Sequence, residues 1–217
     1  MSKPAFNIDI LEGAVCHALQ LSRALSLEAI DEFSKRFANE RGRELPPRYV
    51  ETTLVPNMLR WRKIYKTGKY MYALNPIFSS DSKGLDAFWV FIENMHDVDI
   101  LTLLNGPCPF QLTYAKNNQL YHIAVCKNEG FLEMSQAANY EQSMFERQRS
   151  PEFSDYKKYG LTPLPEKFIF VFDSMESMER ARCILKSPTM YCVITYTQGS
   201  RIPKLFFTTP EKLYAGK

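Results

Sequence analysis

The stretch from Pro46 to Leu74 constrains the fold of this chain most. A proline pair opens a run with apolar residues at Val50, Leu54, Met58 and Trp61, which leads straight into RWRKIYKTGKYMYALN, residues 60 to 75. Steps of four, four and three put those four side chains on one helical stripe, and proline is tolerated at a helix start because the first N–H groups lack intrahelical partners. Pro56 lies inside the run, where a missing N–H removes one hydrogen bond, so the piece from Asn57 to Lys63 is expected to change direction. Beyond it Tyr70, Tyr72 and Leu74 alternate onto one side. Thr67-Gly68 supplies a turn with one residue free to take positive φ, so KIYKTGKYMYALN reads as a two-stranded hairpin.

Two more helices precede this one. Ile10, Ala14, His17 or Ala18, and Leu21 recur at helical spacing up to about Leu25. Ser26 then stands where an N-cap belongs. It precedes Leu27, Ile30, Phe33 and Phe37 on one face, with Glu28, Asp31 and Glu32 in the first turns, where carboxylates suit the helix dipole. The polar ANERGREL separates this second helix from Pro46-Pro47. Three helices and then a hairpin is the order of a winged helix-turn-helix, assigned to residues 1–75.

Charge follows the same division. Residues 1–75 hold 12 Lys+Arg and 8 Asp+Glu, whereas residues 76–217 hold 15 and 16, so the net +3 of the 217-residue chain comes from its first third. Within residues 46–70, Arg48, Arg60, Arg62, Lys63, Lys66 and Lys69 stand against Glu51 alone. A local field of that sign attracts phosphate. The expected partner is double-stranded DNA: the third helix enters a major groove with Arg48 and Thr52 at base edges, and Lys66 and Lys69 flank the hairpin turn to reach phosphates. Arg60, Arg62 and Lys63 complete the expected contact set. The competing reading is that these cations only solubilise an exposed hairpin, or that the winged helix serves a protein contact.

The polar, turn-rich NPIFSSDSKG, residues 75–84, reads as a linker, which leaves 76–84 between the first domain and residues 85–217, a second, small α/β domain. Leu85, Phe88, Trp89, Ile92 and Met95 mark an amphipathic helix; FQLTYA and LYHIAVC flank Asn117-Asn118 as an antiparallel hairpin. A helix is expected near 134–148 within the polar stretch 131–165. KFIFVF reads as a buried strand, Asp173 as the cap of a helix from Met175 to Leu185, and MYCVITYT and PKLFFT as closing strands.

Nothing in the chain spells out catalysis. His17, His96 and His122 share no metal-like spacing with Cys, Asp or Glu, and His122 is expected on one sheet face with no Ser or Cys nucleophile near it. Asp173, Glu176 and Glu179 are expected as a cap and a solvated helix face rather than as a Mg²⁺ cluster. NGPCPF is no phosphate loop. Catalytic residues, metal and cofactor are therefore expected to be none. Cys16, Cys108, Cys126, Cys183 and Cys192 form no C-x-x-C pair, which suits a reduced compartment. No apolar run approaches the roughly 20 residues of a membrane span, so a cytoplasmic protein without membrane contact is expected.

The runs RWRKIYKTGKYMYALN, LDAFWVFIENMHDVD, PFQLTYAKNNQLYHIAVC and KFIFVF before a helix resemble a family of small proteins encoded on integrative and conjugative elements of Gram-positive bacteria. That family is itself distantly similar to the replication-relaxation proteins of plasmids. The resemblance spans roughly residues 10 to 208 and rests on aromatic and apolar positions. It implies an α+β chain with an N-terminal winged helix, a C-terminal domain of restriction-endonuclease-like topology, and a role in replication or mobilisation of an element. Active members of that nuclease fold carry an acidic residue on one strand and an acidic-x-Lys on the next. Here Thr113 and His122-Ile123-Ala124 stand in those places. What transfers is then the topology without the chemistry, and a domain that holds a protein partner or a second copy of itself. The expected function is a non-enzymatic DNA-binding accessory or regulatory protein of a mobile element, with a protein-interaction module or a divergent metal-dependent nuclease as the alternatives.

Overall fold

The computed structural model describes residues 7–78, 81–127, 131–149, 165–181 and 190–209. The chain is mixed α+β with two separate sheets, one of three strands and one of six. It divides into two compact units: the first runs to Ile100 and includes Tyr196–Lys204, and the second holds Leu101–Thr195 and the chain from Leu205 on.

In the first unit α1 (Ile8–Ser22) leads into β1 (Ala24–Ser26) and α2 (Leu27–Asn39). Ser26 caps α2 as expected, its hydroxyl accepting from the Ala29 amide at 3.1 Å. Ile30, Phe33 and Phe37 are buried, and Phe33 meets Phe88 of α4 (Ser82–Asn94) with ring centroids 5.4 Å apart. The helix starting near Leu85 thus belongs to the first unit's core. Arg36 secures it by donating to the Ile92 carbonyl at 3.1 Å and pairing with Glu93 at 2.6 Å.

The third helical run differs from its expected form at both ends. It does not start at the prolines: Arg48 takes φ 59, a left-handed conformation that no helix continues through, and the run begins after it. Val50–Leu54 is a π turn, with the Val55 amide bonded to the Val50 carbonyl, followed by α3 (Val55–Arg60). Pro56 supplies the reason. It has no N–H for the Thr52 carbonyl and its ring crowds that carbonyl, and a widened turn relieves both. At the other end Trp61 is the C-cap and Arg62 lies at φ 55, with Arg62 N–H on Leu59 O at 3.0 Å and Lys63 N–H on Met58 O at 2.8 Å. That is a Schellman stop. Because the helix ends there, Trp61 leaves the apolar stripe and is 69% exposed, while Val50, Leu54, Val55, Met58 and Ile64 fill the core.

The hairpin is β2 (Tyr65–Lys66) and β3 (Met71–Ala73), and β1 adds to it in the order β1-β3-β2, all antiparallel. The turn closes through Thr67 N–H on Met71 O, 3.0 Å, and Gly68 does not use positive φ.

The second unit carries the sheet β4 (Leu104–Asn105), β5 (Leu112–Lys116), β6 (Gln119–Cys126), β7 (Glu166–Phe172), β8 (Met190–Thr195) and β9 (Lys204–Thr208), in that spatial order. β4, β5 and β6 form an antiparallel meander; β6, β7 and β8 are parallel. The Asn117-Asn118 turn is as expected, with φ 50 and 56, the double positive φ of a type I′ hairpin. One sheet face, with Ala124, Phe168, Phe170 and Tyr191, packs with Phe110 from the β4–β5 connection, Met134 and Ala137 of α5 (Phe131–Arg149) and Met178 of α6 (Met175–Ala181). Ser174, not Asp173, caps α6: its hydroxyl accepts from the Ser177 amide at 3.1 Å. The irregular segment expected from Ser150 onward, and the last turns expected of the final helix, lie outside the described residues.

Candidate nucleic-acid interface

All seven expected contact residues are exposed or partly exposed, but they fall into two groups. Arg48 is held by Glu51, Nε to carboxylate at 2.9 Å, which raises the guanidinium's pKa and lowers that of the carboxyl. The Thr52 hydroxyl donates to the Arg48 carbonyl at 2.9 Å. The two base-edge candidates thus already have partners within their own turn. Lys63 pairs with Glu12 of α1, and that carboxylate hydrogen bond raises the ammonium's pKa. Arg60, Arg62, Lys66 and Lys69 remain, and no carboxylate among the described residues pairs with them. Arg60 and Lys69 instead lie over their neighbouring rings, 5.9 Å from the Trp61 and 5.6 Å from the Tyr70 centroid.

The local sequence explains this grouping. Arg60 and Arg62 bracket the helix stop, where Trp61 is exposed, and Lys66 and Lys69 flank a hairpin turn whose buried side is supplied by Tyr72 and Ala73. A second surface offers no net charge. A recess of about 360 Å³ beside Tyr70 is lined by Glu28, Asp31 and Glu51 together with Lys35, Arg48 and Arg201. Each acid holds one of the cations, at 2.8 Å (Glu28–Arg201), 2.5 Å (Asp31–Lys35) and 2.9 Å (Glu51–Arg48). Counting charges along residues 46–70 misses Glu12, Glu28 and Asp31, which come from other segments.

The second unit holds a polar cluster that the linear pattern of residues did not reveal. The His122 ring is 1% exposed and bonded at both nitrogens: Nδ1 lies 2.8 Å from Thr113 Oγ1 and Nε2 2.8 Å from Glu166 Oε2. A carboxylate only accepts, so Nε2 is the donor in that bond. The Tyr140 hydroxyl donates to the same Glu166 oxygen at 3.1 Å. Phe110, Phe168 and Tyr140 surround the imidazole, with ring centroids 4.9, 5.7 and 5.7 Å away. Half of this was available from sequence. A two-residue Asn117-Asn118 turn pairs Lys116 with Gln119 and hence Thr113 with His122. Glu166 was not, because it reaches His122 only through the parallel pairing of β6 with β7.

Asp173, Glu176 and Glu179 are exposed, and Glu176 pairs with Arg180 at 2.5 Å. Among the described residues no group of three or more His, Cys, Asp or Glu side chains is arranged to hold a metal ion, and no helix is long and apolar enough to cross a membrane. Compared with known proteins, the chain matches no family model, no curated protein and no solved structure.

Proposed function

We propose that this chain is a cytoplasmic DNA-binding accessory or regulatory protein of a mobile genetic element, acting through a winged helix-turn-helix in its first unit. The order helix, strand, helix, helical run, hairpin, with a β1-β3-β2 antiparallel sheet, supports the winged-helix reading. The observation that carries the nucleic-acid reading is the set Arg60, Arg62, Lys66 and Lys69: four exposed cations within ten residues of chain, on a helix stop and a hairpin turn, without carboxylate partners among the described residues. Cations whose fields are not spent on neighbouring acids are the ones that displace counterions from a phosphate backbone. The mobile-element context comes from the family resemblance. For the second unit, the meander β4-β5-β6 followed by α5 and the parallel strand β7 supports a restriction-endonuclease-like topology used for a protein partner or self-association.

Fluorescence anisotropy with a labelled duplex, titrated at several salt concentrations, tests the reading. Lys66→Glu with Lys69→Glu is expected to weaken binding on every sequence and to flatten the log–log salt slope by about 1.8, roughly 0.9 for each phosphate no longer neutralised. Unaltered affinity removes the proposal. A protein-interaction role is favoured by one observation, the 69% exposed Trp61 between two arginines, since Trp and Arg dominate interface hot spots. A partner captured after nuclease treatment, released by Trp61→Ala and accompanied by no duplex binding, would support that role instead.

A further inference from the structure

The hairpin that bears Lys66 and Lys69 is two residues long on one strand and three on the other. Hairpins of that size have little stability of their own and need an outside brace to hold one geometry. β1 covers one edge. The other restraint comes from far along the chain, in the segment Tyr196–Lys204, which is part of the first compact unit. Tyr196 anchors that loop, its hydroxyl donating to the nearly buried Asp86 carboxylate at 2.7 Å. Gly199 at φ 81 and the Ser200 N–H on Thr197 O at 2.9 Å make a tight turn, closed by Ser200 Oγ on Ile202 O at 2.8 Å. Arg201 follows this turn directly, between Ser200 and Ile202. Its Cζ lies 3.3 Å from the Tyr70 ring centroid and its Nη1 donates to Glu28 at 2.8 Å. Tyr70 is also held by its backbone, its carbonyl accepting from the Leu27 amide at 2.9 Å.

The geometry points to Arg201 as a positioning residue for the wing: stacked on Tyr70 and fixed by Glu28, it orients the turn that presents Lys66 and Lys69. Its own charge is committed to Glu28 and to the tyrosine face, so it acts through Tyr70 and not as a phosphate contact. A planar guanidinium can stack and hold a carboxylate at once; an ammonium cannot, so lysine is not an equivalent here. The consequence for DNA rests on the reading proposed above, whereas the brace itself does not.

The test uses the full chain with Arg201→Ala and Arg201→Lys in two measurements. Amide hydrogen exchange at Leu27, the donor to Tyr70, reads the brace without DNA. Duplex anisotropy over a salt series reads its consequence. Arg201→Ala is expected to speed exchange at Leu27 and across residues 65–73 by several-fold and to weaken duplex binding by about 5-fold, the scale of a single cation–π interaction. The salt slope should stay unchanged, because no phosphate contact is removed. Arg201→Lys should recover only part of both effects. A slope flattened by about 0.9 would show Arg201 to be a phosphate contact and overturn the assignment. Unchanged Leu27 exchange in Arg201→Ala would overturn it as well. If the unmodified chain binds no duplex, the nucleic-acid reading falls, and the exchange measurement alone decides whether Arg201 braces the wing.

Discussion

Replacing His122 with Phe should expose how much of the second unit's stability depends on satisfied polar groups, because Phe keeps the aromatic packing and deletes both hydrogen bonds. Two groups are then left without their partner. Thr113 is 6% exposed and would keep a buried hydroxyl, which costs about 1 to 1.5 kcal/mol. Glu166, with 17% of its side chain exposed and Tyr140 still donating to it, can recover water, so its share is about 0.5 to 1 kcal/mol. The single variant should therefore lose about 2 kcal/mol. Adding Thr113→Val removes the orphaned hydroxyl, so the double variant should lose only about 1 kcal/mol and be more stable than the single His122→Phe variant, since removing both partners is milder than removing one. With an m-value of about 2 kcal/mol per M in urea, the single change moves the midpoint down by about 1 M and the double by about 0.5 M. The probe matters. Both tryptophans, Trp61 and Trp89, lie in the first unit, so the transition must be followed by far-UV circular dichroism rather than by tryptophan fluorescence. A double variant as unstable as the sum of the two single changes would refute the argument that Thr113, His122 and Glu166 act as one network.

Three shorter predictions follow from the same geometry. Arg62→Gly should raise stability by about 1 kcal/mol, because glycine accepts φ 55 without a Cβ penalty, yet weaken duplex binding by removing a cation; urea unfolding and anisotropy on the same protein check the opposite signs. Burial holds the Tyr114 phenol well above its ordinary pKa, with the nearby Tyr121 adding to the shift. The unfolded chain ionises this tyrosine first, so its contribution is complete below about pH 10 and is lost as pH rises above that; Tyr114→Phe should lessen the fall in stability above pH 10, measured by urea midpoints across the range. Burial also raises the Cys16 thiol, with Lys63 opposing and Glu12 adding to the shift, so at pH 8 it has less thiolate than an ordinary cysteine and should alkylate with iodoacetamide more slowly than the exposed Cys108; peptide mass spectrometry showing the reverse order would contradict this.

Local chemistry was legible wherever neighbours in sequence are neighbours in space. The Ser26 cap, the apolar face of α2 and the Asn117-Asn118 hairpin of FQLTYA and LYHIAVC depend on contacts a few residues apart, and KFIFVF shows as a strand by its own apolar run although its partners β6 and β8 are distant in sequence. Ala24–Ser26 was not legible as a strand, because three residues carry no periodicity and become β1 only by pairing with Met71–Ala73. Trp61 matched a helical stripe in spacing, but a backbone stop set by Arg62 at positive φ decided its exposure.

The candidate surface shows the same limit in electrostatic terms. Sequence alone determined that the cations concentrate between Arg48 and Lys69, because composition is local. Tertiary structure decided which of them remain available: Glu12 reaches Lys63 across 51 positions, and in the same way Glu28 takes up Arg201, a cation outside that segment, across 173. Charge in a segment is a sum over residues, whereas the field a ligand meets depends on which opposite charges folding brings within a few ångströms, and Coulomb energy falls with that distance.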